Sequence, residues 1–151
     1  MQSILAMFEH VKWANARIYD AIAQAGEASE YVTTLLHHVL RAEQVWLTRM
    51  KGQDSSHLPL WQSCSLQELT ELMRHNEQDY QVYLAALDES RLDEMITYRN
   101  QSGTPFTTSI RNILIHVALH GSYHRGQINA ALRREGHEPI NVDYITFVRT
   151  R

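Results

Sequence analysis

The chain has one cysteine, three prolines, six glycines and no surplus of positive charge. Each shortage excludes something. A lone Cys64 rules out an intramolecular disulfide framework and fits a reducing compartment, so a cytoplasmic location is expected. Sparse glycine and proline leave little punctuation, which favours long helices. A net charge of −3 with neutral histidines is not the footprint of a phosphate-binding surface, so nucleic acid is not an expected partner. No run approaches the ~20 apolar residues that span a bilayer, so no membrane is expected either. The opening MQSILAMFEHVKWANAR is broken by Glu9, His10 and Lys12 and does not read as a secretory signal. A Gly-rich phosphate loop, a nucleophile elbow and a Ser/His/Asp arrangement are also missing.

What is present is ordinary in bulk and unusual in one residue. Hydrophobic residues make up 44% and charged residues 21% of 151, which suits one domain, 1–151, with a core of its own. Histidine occurs nine times.

Apolar residues recur at three- and four-residue steps over four stretches. Ile4, Leu5, Phe8, Val11, Ala14, Ile18 and Ile22 predict a helix over about 3–25, ended by Gly26. A second runs from about 29 to 51, stopped by Gly52, and a polar loop over about 53–63 follows. Ser65 and Glu68 read as a capping box that opens a third helix to about Leu87. Between about 88 and 108 the pattern changes: Met95–Arg99 is β-prone and Asn100-Gln101-Ser102-Gly103 looks like a turn. A fourth helix is expected over about 109–135. Ile145 and Phe147 are expected to dock the tail. The sum is an all-α fold, an antiparallel four-helix bundle with a short hairpin or extended insert before the last long helix.

The fourth helix carries His116, His120 and His124. Residues at i and i+4 share a helix face, so either consecutive pair can hold one metal ion. All three cannot, because the helix rises about 12 Å over those eight residues. A further ligand must come from elsewhere, and His37 and His38 supply the candidates. They point about 100° apart. Helical phase with Leu35, Val39 and Trp46 favours His38, leaving His37 as a solvated residue. Three neutral imidazoles leave the charge of a divalent ion uncompensated and a coordination position open, the pattern of catalytic sites. Such an ion lowers the pKa of a bound water or thiol and so supplies a nucleophile at neutral pH. Imidazole suits zinc, nickel, copper and iron alike.

Around this set, Gln127 is a candidate supporting partner of His124, and Trp46 and Tyr123 are candidate pocket walls. Glu43 reads as a capping or ion-pair residue, Arg125 as a surface salt-bridge partner, and His10 as a polar residue on a helix flank. Cys64 reads as a small loop residue, and His57, His75 and His137 have no expected role.

The stretch HVALHGSYHRGQINAALRREGHEPINVDYITF, the Trp13-Ala14-Asn15 element and the His38…Glu43 spacing together resemble the DinB family, the DinB/YfiT-like bundles. The resemblance covers most of the chain. It implies a metal site of His38, His120 and His124, with His116 becoming a pocket or core residue. It also implies a homodimer, nickel or zinc at the site, and a small-molecule substrate. Relatives in the wider superfamily are thiol-dependent transferases and isomerases. A thiol S-transferase using a low-molecular-weight thiol, in detoxification or stress response, is therefore the first expectation. A metal-dependent hydrolase and a non-catalytic metal- or ligand-binding stress protein are the alternatives.

Overall fold

A computed structural model describes residues 1–26 and 29–150. Four long helices account for most of them: α1 (Gln2–Ala25), α2 (Glu30–Met50), α3 (Leu66–Ala86) and α4 (Ile110–Arg134). A 3-10 turn over Glu89–Asp93 and a hairpin of β1 (Met95–Arg99) and β2 (Pro105–Ser109) separate α3 from α4. A short helix, α5 (Tyr144–Arg149), closes the tail. Among the described residues, no helix is long and apolar enough to cross a membrane.

The local chemistry accounts for these boundaries. The Ser65–Glu68 capping box is formed in both directions and starts α3. The Ser109 hydroxyl accepts from the Asn112 N–H and starts α4. In the hairpin, Met95 pairs with Ser109 and Arg99 with Pro105. Its turn is closed by Oδ1 of Asn100, which accepts from the N–H groups of Ser102 and Thr104, and by Gly103 at φ 82°.

Cross-helix contacts set the helix directions. Phe8 stacks on Tyr80 and Lys12 pairs with Glu77, so α1 and α3 run antiparallel. Trp46 meets His116 and His38 meets His124, so α2 and α4 do too. Asn76 bonds the Leu40 carbonyl and Tyr80 the Glu43 carbonyl, so α2 and α3 run the same way. The expected antiparallel arrangement thus holds for two of these three neighbouring pairs. The reason is the long connection over residues 51–65. It returns along α2 before α3 begins, touching α2 from Ser55 on Arg49, through Leu60 on His38, to Cys64 against the Thr33 carbonyl.

The interior has two apolar clusters. One gathers Ile4, Phe8, Leu47, Tyr80, Leu84 and Ile113, and the other Ile18, Ile22, Leu36, Leu40, Leu69 and Ile128. Between them in sequence, each long helix contributes one member of a buried, hydrogen-bonded layer: Asn15, Glu43, Asn76 and Arg125. Nη1 of Arg125 donates to Oδ1 of Asn15 at 2.8 Å. Nδ2 of Asn15 donates to one Glu43 oxygen at 2.8 Å, and Nδ2 of Asn76 to the other at 3.1 Å. This layer corrects two expectations. Arg125 is no surface salt-bridge residue but is 0% exposed. Glu43 is neither a cap nor a direct ion-pair partner; its carboxylate is held by two amides.

Two more positions differ. His10 is buried beneath the tail, with Nε2 2.7 Å from the Val142 carbonyl, because residues 137–147 fold back over α1. In that tail Phe147 is buried as expected, but Ile145 is exposed. The turn of α5 that carries both points only one of them inward.

A candidate metal centre of three histidines

His38 on α2 and His120 and His124 on α4 form one cluster whose candidate ligand atoms all lie within 4.8 Å of one another. The i, i+4 step puts His120 and His124 on one face of α4. The antiparallel packing of α2 brings His38 to that face. Nε2 of His38 lies 3.2 Å from Nε2 of His120. Two nitrogens bound to one tetrahedral ion at its usual bond length stand about 3.3 Å apart, so the spacing fits a shared metal.

The ring orientations are held from outside. Nδ1 of His38 lies 3.1 Å from the Leu60 carbonyl, which can only accept. That nitrogen therefore carries the proton, and Nε2 keeps its lone pair. Nδ1 of His124 lies 2.6 Å from Oε1 of Gln127, which directs the other nitrogen of His124 in the same way. Burial lowers the pKa of His38. It pushes His120 down to about 3, with His124, His38, His116 and Arg125 adding to the effect. His38 and His120 are thereby held neutral at physiological pH, the form a metal requires. No carboxylate belongs to the cluster. The donor set fits a borderline transition metal such as zinc or nickel and not a hard cation that prefers oxygen.

Of the candidate surroundings, Gln127 bonds His124 directly. Tyr123 sets its ring edge-on to His124 at 5.1 Å and is 66% exposed. Trp46 is half-buried and packs on His116, Tyr98 and the Arg49 guanidinium, so it sits one step from the cluster. His116 is exposed, with its ring 5.4 Å from that of His120; it belongs to the rim and not to the core.

His37 corrects an expectation. It is 3% exposed, not solvated, because α3 and the returning connection cover that side of α2. It lines a separate cleft of about 260 Å³ between α2 and α3, with Arg41, Gln62, Cys64, Glu68 and His75. None of the three clustered histidines lines that cleft. The Cys64 thiol there is pushed up to about 11 by burial, so it is no activated nucleophile.

Trp61 was not foreseen. It comes from the connection between α2 and α3 and lies flat on His38, ring centroids 3.7 Å apart and planes 6° from parallel. An aromatic in a polar loop carries no periodicity, so only the length of that loop hinted that something crosses α2.

The model of the DinB family matches residues 1–151. The chain belongs to the DinB family. It is 24% identical to Protein DinB of Bacillus subtilis (strain 168) over 155 residues, covering 91% of this chain and 89% of that one. The crystal structure of a DinB-like protein from Bacillus cereus ATCC 10987 superposes with a TM-score of 0.73 at 13% identity, covering 95% of this chain and 97% of that one. That likeness speaks for the fold alone. Within this DinB-family fold, the three histidines are the group among the described residues that can hold a metal ion.

Proposed function

We propose that this DinB-family protein is a metal-dependent enzyme of the thiol S-transferase type. The observation that carries the reading is the all-imidazole cluster with its outward-held ring orientations and no carboxylate. His38, His120 and His124 would hold one zinc or nickel ion. Bound there, the ion would act as a Lewis acid that takes a thiol as thiolate at neutral pH. Leu60 and Gln127 keep two of the rings aimed, and the Trp61 ring shields one face of His38 from water. In the transfer, the thiol sulfur bonds to the electrophilic carbon. The leaving group departs with its bonding pair, and the thiol proton passes to solvent.

A thiol suits this site better than water. A hydrolase needs a general base beside the nucleophile, and the one buried carboxylate among the described residues, Glu43, is engaged by Asn15 and Asn76. The test is an assay of zinc- or nickel-loaded, untagged protein against a panel of cellular thiols and chromogenic alkyl and aryl electrophiles. Thiol-dependent turnover that disappears in His120→Ala supports the proposal. Turnover independent of added thiol favours hydrolysis, and no turnover with tight metal retention favours a binding protein.

A further inference from the structure

The cluster is flanked by large apolar side chains that the fold leaves in water. Trp61 spends one face on His38 yet is 58% exposed, and its ring stands 6.3 Å from that of His124. On the α4 side, the Tyr123 ring stands 5.1 Å from that of His124 and is 66% exposed. Tyr123 lies three residues after His120, so it is a neighbour of that ligand on the α4 surface as well. Exposed apolar groups gathered at one polar centre mark a ligand site. The charge is also one-sided. The cluster has no carboxylate, and the buried Arg125 follows His124 directly in the chain. An ion held there would favour an anionic ligand atom.

Resting on the metal reading above, we infer that the ligand whose sulfur reaches the three histidines carries an aromatic or branched apolar body directly beside that sulfur. Trp61 forms one wall for this body and Tyr123 the other. Trp61 and Tyr123 are thus specificity-determining residues. A small hydrophilic thiol would reach the same donors but leave both walls in water.

The experiment uses the full chain loaded with cobalt(II), whose visible spectrum reports both metal uptake and thiolate binding. Benzyl mercaptan and 2-mercaptoethanol are titrated in turn, with tryptophan fluorescence followed in parallel. The expected result is that benzyl mercaptan binds about tenfold tighter, the scale set by burying part of one ring. Trp61→Ala and Tyr123→Ala should each reduce that preference to about threefold or less. Tyr123→Ala matters most, because Tyr123, unlike Trp61, is not stacked on His38. Cobalt uptake with equal affinities for the two thiols, or a preference unchanged in both variants, overturns this inference and leaves the metal site standing. Failure of the wild-type chain to take up cobalt overturns the metal reading and the inference together.

Discussion

Asn15 receives a hydrogen bond from Arg125 at 2.8 Å and passes its own to Glu43 at 2.8 Å, in a layer that water does not reach. The guanidinium and the carboxylate thus communicate through an amide and not through a direct ion pair. Arg125 follows His124 in sequence, and Glu43 lies just over one turn beyond His38. The layer therefore pins α2 and α4, the two helices that carry the histidine cluster.

Gly121 allows this arrangement. A Cβ built there would stand 2.7 Å from Nη1 of Arg125, closer than real contacts permit. Gly121→Ala must push the guanidinium off Asn15, and the surrounding core leaves little room for it. The expected destabilisation is about 1–3 kcal/mol, despite alanine's better helix propensity. Urea denaturation checks it. An unchanged or raised midpoint would show that the guanidinium can move freely.

Glu43 gives a pH dependence of definite sign. Burial raises its pKa from the ordinary 4.5 to about 6, against the pull of Asn15, Arg125 and Asn76. The folded state then binds the proton more tightly than the unfolded state. The contribution is most stabilising below pH 4.5 and is lost as pH rises through about 6. The loss is on the order of 1–2 kcal/mol. Subtracting the urea stability of Glu43→Gln from that of wild type, from pH 4 to 7.5, isolates it. The difference should shift against wild type as pH rises; a shift the other way would mean that the carboxylate is favoured by folding.

The four long helices and the hairpin were legible because their signals are local: three- and four-residue apolar steps, the Ser65–Glu68 box, and a β-prone run before Asn100. The His120–His124 spacing is legible for the same reason. What was not legible depends on which helix lies beside which. Arg125 reads as a surface residue because its partner, Asn15, is more than a hundred positions away. His37 reads as solvated because phase on α2 alone cannot show that α3 and the returning connection cover a second face. Trp61 and Leu60 act on His38 only because residues 51–65 run back along α2.

Gln127 separates a supporting role from a ligating one. Its Oε1 accepts from Nδ1 of His124 and makes no claim on the metal. Gln127→Leu should leave the fold and the ligand count intact while weakening metal affinity about 10- to 100-fold, the usual effect of removing such a partner. Competition with a chromogenic chelator measures it. Stoichiometric binding at unchanged affinity would mean that His124 is oriented by packing alone.

The adjacent pair His37 and His38 offers the sharpest discrimination, because both are buried and only one faces the cluster. His38→Ala should abolish tight metal binding. His37→Ala should keep it, yet it should not be silent: it removes a buried ring from the wall of the α2–α3 cleft together with that ring's contact with Arg41. A loss of about 1–3 kcal/mol is expected, comparable to other buried truncations. Elemental analysis and a thermal melt on the same two samples read both quantities. Metal lost from the His37 variant and retained by the His38 variant would place the wrong face of α2 toward α4.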